Sequence, residues 1–232
     1  MSREKQRGVT LLELLVAITI VALLAATSLV AWRAGVSGWE KASVKLEHDR
    51  AVMAVHQVVS EQMASMMPYE VLVERVGQVM FFQGEAETAR FVSRYSLANR
   101  AASGLYLIEY HVVDERDGRR QLVLQENLIR SAAELAAKVA GIDAETGVIR
   151  VRFHAFEQGP AAVVLLDGLD DCRFEYYNAP RVGVPGNWTS EWIGSANEIP
   201  TAMRIRAAKK DMGNLEPVTI AARVRNFAKR QP

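Results

Sequence analysis

The chain has 232 residues, half of them hydrophobic, which is enough for a membrane helix and one well-cored domain but a tight fit for two full domains. Its 28 Lys and Arg against 27 Asp and Glu give a formal charge of +1, so the basic surplus typical of nucleic-acid binding is missing. The lone cysteine, Cys172, rules out an intramolecular disulfide; it follows Asp170-Asp171 with no base in a recognised motif and reads as a small core residue.

The N-terminus sets the organisation. Arg3, Lys5 and Arg7 precede Gly8, and from Val9 to Trp32 the only ionisable residue is Glu13. That run is long enough to cross a bilayer as one helix. Basic residues outnumber the single acid before it, which by the positive-inside rule puts the N-terminus in the cytoplasm and the remainder outside. In a bacterium with two membranes the outside is the periplasm. A secretory signal carries its apolar segment before the cut; here the charged segment comes first and the apolar run follows Gly8. Glu13 is the anomaly, because a carboxylate costs roughly 2.5–3.5 kcal/mol at a membrane helix centre. Taken alone it reads equally as an interfacial residue or as one side of a pair.

Beyond Trp32, Arg33 marks the outer interface, and Gly35 and Gly38 are weak helix formers. Helical character resumes from Trp39 and meets no proline until Pro68. Val52, Val55, Val59, Met63 and Met66 recur at helical spacing as an apolar stripe suited to a sheet. Met63, Met66 and Met67 read as core filling. After Pro68 the period becomes strand-like, in Val71-Leu72-Val73 and Val79-Met80-Phe81-Phe82 around Gly77, and in Arg90-Phe91-Val92-Ser93. The clearest hairpin runs from Leu105 to Val113, turns at Asp117-Gly118 and returns through Gln121-Leu122-Val123-Leu124. Ser131-Ala132-Ala133-Glu134 has the capping-box pattern of a short helix expected to stop at Gly141, and residues 148–153 begin another strand.

The block Arg7-Gly8-Val9-Thr10-Leu11-Leu12-Glu13 resembles the cleavage and methylation segment of type IV pilin-like proteins, with Val9 where that family usually has Phe. The resemblance implies that a prepilin peptidase cuts after Gly8 and methylates the new amine of Val9, and that Glu13, fifth in the mature chain, pairs with the amine of a neighbouring subunit. A second likeness lies in residues 163–177, with Tyr176-Tyr177 at the end, then Trp188 and Trp192, then Ile199-Pro200 leading residues 201–205. This pattern resembles the late sheet of the J family of minor pseudopilins of type II secretion systems. It implies an α+β, pilin-like fold: a long N-terminal helix, membrane-spanning in its first half, packed on antiparallel β-sheet. The expected division is a leader over 1–8, a transmembrane helix over 9–32, its periplasmic amphipathic continuation over 33–67 and a β-rich periplasmic domain over 68–232. The implied partners are the I and K minor pseudopilins, the major pseudopilin, the prepilin peptidase and the inner-membrane assembly platform.

The remaining residues suggest no catalytic constellation and no cofactor. His48, His56, His111 and His154 lack metal-ligand spacing, and no Gly-x-Ser-x-Gly, phosphate loop or Cys-x-x-Cys occurs. Asp167, Asp170 and Asp171 are weak calcium candidates without the loop spacing or distal Glu of a known motif, and read as a solvated turn. Trp188 and Trp192 are equally suited to a recognition surface or to closing a sheet edge. The expected function is therefore structural: a minor pseudopilin of the periplasmic filament tip that helps export folded proteins. A minor pilin of a type IV pilus is the runner-up. A membrane-anchored periplasmic enzyme is a third reading, disfavoured because a tether needs no Gly8 with Glu13 at that distance.

Overall fold

A computed structural model describes residues 11–74, 77–99, 103–145, 148–179, 185–192, 198–209 and 218–223. The chain divides into two units, Met1–Ala51 and Val52–Pro232. Helix α1, Leu11–Ala64, contributes to both and continues through Gly35 and Gly38 without interruption.

In the first unit α1 carries no charged residue from Leu14 to Trp32, and its large apolar side chains over that stretch are exposed. Its hydroxyls turn back onto their own helix: Thr19 donates to the Val16 carbonyl at 2.8 Å and Thr27 to that of Leu23 at 3.0 Å. Such bonding suits a medium that offers polar groups no partners.

In the second unit the same helix becomes amphipathic. Val55, Val58, Val59 and Met63 are buried, and they enter one core with Phe91, Ile108, Tyr110, Leu122 and Leu124. The helix ends earlier than the first proline suggests. After Ala64, Met66–Met67 form strand β1, with Met66 opposite Ser93 on a neighbouring strand.

Strands β2 (Glu70–Val73) and β3 (Gly77–Met80) make a separate antiparallel hairpin. β4 (Gln83–Gly84), β5 (Thr88–Ser93), β6 (Tyr106–Asp114), β7 (Arg120–Leu128) and β10 (Val163–Leu169) join β1 in a six-stranded sheet. The expected hairpin forms between β6 and β7, and Gly118, at φ 81, supplies the left-handed residue its turn requires.

Helix α2 is a single short piece, Ala132–Ala136, and corrects the expectation that it would reach Gly141. Ser131 makes no side-chain cap, while Glu134 accepts the Arg130 N–H at 3.0 Å, one residue outside the expected capping box. Gly141 instead belongs to β8 (Val139–Glu145), whose pairing with β9 (Val148–Phe153) supplies the backbone bonds that a longer helix would have made.

The late strands also divide. β10 stays in the six-stranded sheet. Gly168, at φ 60, and the Asp170 N–H bonded to Ala208 O lead into β11 (Asp171–Asn178) of a second, four-stranded sheet. There β12 (Asn187–Thr189), β11, β13 (Ala202–Ala208) and β14 (Val218–Arg223) lie in that order. Cys172, Phe174, Tyr176, Met203, Ile205 and Ile220 point from this sheet into the same core as the helix stripe. The molecule is thus α+β and pilin-like, a long N-terminal apolar helix followed by a mostly antiparallel sheet domain.

Candidate processing and assembly site

Glu13 occupies the first turn of α1 with its side chain exposed. Gly8 and Val9 lie outside the described residues. The apolar stretch that follows, Leu11–Trp39, has 29 residues. At about 1.5 Å per residue it is roughly 44 Å long, more than the ~30 Å of a bilayer's hydrocarbon core. This helix fits a single-pass membrane anchor.

The weak calcium candidates are not gathered into a cage. Asp167 is exposed on β10, Asp170 is in the turn, and Asp171 on β11 forms an ion pair with Arg173 at 3.7 Å. Among the described residues, no three His, Cys, Asp or Glu groups are arranged to hold a metal ion. His48 and His56 both fall within α1. Cys172 is fully buried, and that burial, with Asp171 close by, pushes its thiol up to about 12, leaving it a core side chain rather than a nucleophile.

The two tryptophans take different roles. Trp192 packs edge-on to Phe82 at 6.4 Å, against the core, and its Nε1 donates to Glu198 O at 3.2 Å. Gly84 makes room for it, since a Cβ there would come within 2.7 Å of the Trp192 Cβ. Trp188, half-buried on β12, packs by Tyr177 and beneath the Arg204 guanidinium, 4.2 Å from the ring centre.

Two polar groupings escaped the periodicity reading. Gln62 is completely buried on the helix's apolar side; it accepts the Tyr110 hydroxyl hydrogen and donates to Glu126. Glu126 also accepts from Ser96 Oγ at 2.7 Å and the Leu97 N–H at 2.8 Å. Burial, with the Glu126 charge, raises the Tyr110 pKa well above its usual value, so this hydroxyl stays a donor. A polar residue in the middle of an apolar stripe is the sequence signal for this lock.

The second grouping lies on the opposite face of the six-stranded sheet. Arg90 and Glu109 form a buried ion pair at 3.0 Å, Lys138 lies 3.6 Å from Glu109, and Arg90 donates to His154 O at 2.7 Å. His111 stacks on Phe156 with centres 3.6 Å apart, its Nδ1 3.2 Å from Thr88 Oγ1. Burial first, then the Arg90 and Lys138 cations, lower its pKa to about 3, so His111 is neutral near pH 7. Arg90 and Glu109 answer each other as an ion pair, while His111 Nε2 is buried without a hydrogen-bond partner, and together they form a buried polar layer.

Residues 3–29 match the prokaryotic N-terminal methylation motif. No curated protein matches the chain. A prepilin-type motif supports a type IV pilin-like or pseudopilin protein and implies processing by prepilin peptidase and assembly into a pilus or pseudopilus. The motif marks a class of structural rather than catalytic proteins.

Proposed function

We propose that the protein is a minor pseudopilin of a type II secretion system, most like the J family, built into the tip of a short periplasmic filament that helps drive folded proteins across the outer membrane. The methylation motif over residues 3–29 carries the pilin-like part of this reading. The likeness of residues 163–177, Trp188, Trp192 and residues 199–205 to the late J sheet supports the finer part.

On this reading prepilin peptidase removes residues 1–8 after Gly8 and methylates Val9. Residues 9–32 span the inner membrane with the N-terminus cytoplasmic, 33–67 continue the helix into the periplasm, and 68–232 form the periplasmic domain. The new Val9 amine is a cation at the cytoplasmic face, and Glu13 of an adjacent subunit is its counter-charge. As helices pack, both groups leave water together; attraction in a low-dielectric setting then sets the axial register between subunits. The I and K minor pseudopilins would join this chain at the tip, with the major pseudopilin below and the assembly platform at the membrane.

Co-purification of the full chain from membranes with candidate I and K partners tests the assignment. A stable complex with both is the expected result. Association with type IV pilus components and neither pseudopilin would replace it by the pilus reading.

A further inference from the structure

We infer that the outer face of the four-stranded sheet docks an acidic segment of a partner protein, read by Arg173, Arg206 and Arg223 around Glu175. Alternation turns Cys172, Phe174 and Tyr176 into the core and leaves Asp171, Arg173 and Glu175 outward; β13 does the same with Arg204 and Arg206. Register then sets Arg173 directly opposite Arg206. Like charges directly opposite each other destabilise a sheet, so this placement has a cost that burial and packing do not explain.

Glu175 only partly offsets it. This one carboxylate is shared among Arg204, which it bonds closely, Arg173 at 3.5 Å and Arg206 at 3.8 Å. Its side chain is 13% exposed, while those of Arg173 and Arg206 are 43% and 37% exposed. The negative charge of Glu175 therefore lies underneath, with Arg173 Nε buried toward it and Arg173 Nη1 3.7 Å from Asp171, while the Arg173 and Arg206 side chains as a whole are the more exposed partners. A guanidinium has five N–H donors in a planar fork, and a single shared carboxylate cannot occupy three such forks. Among the described residues, Thr219 and Ala221, opposite Arg206 and Arg204 on β14, are short and exposed on that side, and exposed Arg223 extends the row. Among the described residues of this face, Arg173, Arg204, Arg206 and Arg223 stand against Asp171 and Glu175, a concentration of positive charge in a chain of formal charge +1.

Carboxylates on a protein fit this face better than the phosphates of a nucleic acid. Half-exposed Asp171 would repel a continuous polyanion, whereas separate carboxylates can match Arg173 and Arg206 in bidentate fashion. Trp188 is already covered by Arg204 and flanked by Tyr177, so it offers no free ring for base stacking.

The test uses the full chain in neutral detergent and a fluorescent poly-glutamate peptide, with fluorescence anisotropy as the readout. Salt-sensitive binding is expected, weakened roughly tenfold by the double change Arg173→Gln and Arg206→Gln. Glu175→Gln, which releases the shared guanidiniums, should strengthen binding severalfold, an effect that general loss of structure would not produce. Arg206→Lys keeps the charge but loses the fork and should give an intermediate affinity. Unchanged binding in the double variant overturns the inference. Tighter binding of a single-stranded oligonucleotide or of phosphatidylglycerol vesicles than of poly-glutamate overturns the acidic-protein occupant.

Discussion

The two ends of helix α1 meet the same problem, a lone polar residue on an apolar surface, and resolve it differently. Glu13 stands in the first turn of an exposed apolar stretch, whereas Gln62 is fully buried near the other end and bonded to Tyr110 and Glu126. At the N-terminal end the exposed apolar side chains suit a bilayer and the helix backbone is satisfied internally. Near the C-terminal end the helix is held by a stripe of buried side chains and one polar lock. Continuous helix therefore does not mean uniform stability: one region depends on its surroundings, the other on the domain's own packing.

The sharpest way to separate the regions is to cut into the core that only one of them shares. Phe91→Ala empties a fully buried site beside the Val59–Met63 stripe and should lower domain stability by about 3–5 kcal/mol. Denaturant unfolding read by near-UV circular dichroism would register it, with membrane insertion unaffected.

Glu13→Leu probes the opposite end. If the proposed function holds, insertion and cleavage after Gly8 persist in this variant, while crosslinking to neighbouring pseudopilins and secretion weaken. Removing one member of a buried pair strands the other, typically at a cost of roughly 3–5 kcal/mol, and contacts between periplasmic domains should offset part of this. Normal crosslinking and secretion would remove the register role. Loss of insertion would place Glu13 at an earlier step.

Gln62→Leu keeps the size of the side chain but leaves the Tyr110 hydroxyl and part of Glu126 without their partner. A loss of about 1–3 kcal/mol is expected. Adding Tyr110→Phe should recover part of it; strict additivity of the two changes would show that they do not act as a pair.

The effect that is smallest near neutral pH is a slope on the acid side. His111 has its pKa lowered from 6.5 to about 3, so between these values the unfolded chain binds a proton that the folded chain refuses. Stability should fall as pH drops through that window, by up to about 1.4 kcal/mol per pH unit. His111→Gln should flatten the acid limb of a stability-against-pH curve; an unchanged limb would show that other groups set it.

What the residues revealed beforehand follows the same division. The apolar run, the stripe from Val55 to Met63 and the Asp117-Gly118 hairpin were legible because periodicity and turn chemistry are local. Arg90, Glu109 and His111 were not, since charged residues in a strand ordinarily mark its solvent side; here the β8–β9 region and Phe156 cover that side. β14 went unread although Val218-Thr219-Ile220 favour a strand, because that β-branched run is only three residues long before Ala221-Ala222, and its pairing with β13 completes it. The early end of α1 depended on a tertiary pairing too, Met66 with Ser93. At the candidate site, the order of basic leader, Gly8, apolar run and Glu13 was readable from chemistry alone, while the different fates of Trp188 and Trp192 required the fold.

Mass measurement of the mature N-terminus, on protein isolated from native membranes containing active prepilin peptidase, tests the prepilin assignment most directly. The expected chain begins at Val9 and carries an N-methyl group, and replacement of Gly8 by a bulky residue leaves the uncut precursor in the membrane. An intact Met1 on the wild-type protein under those conditions would contradict it.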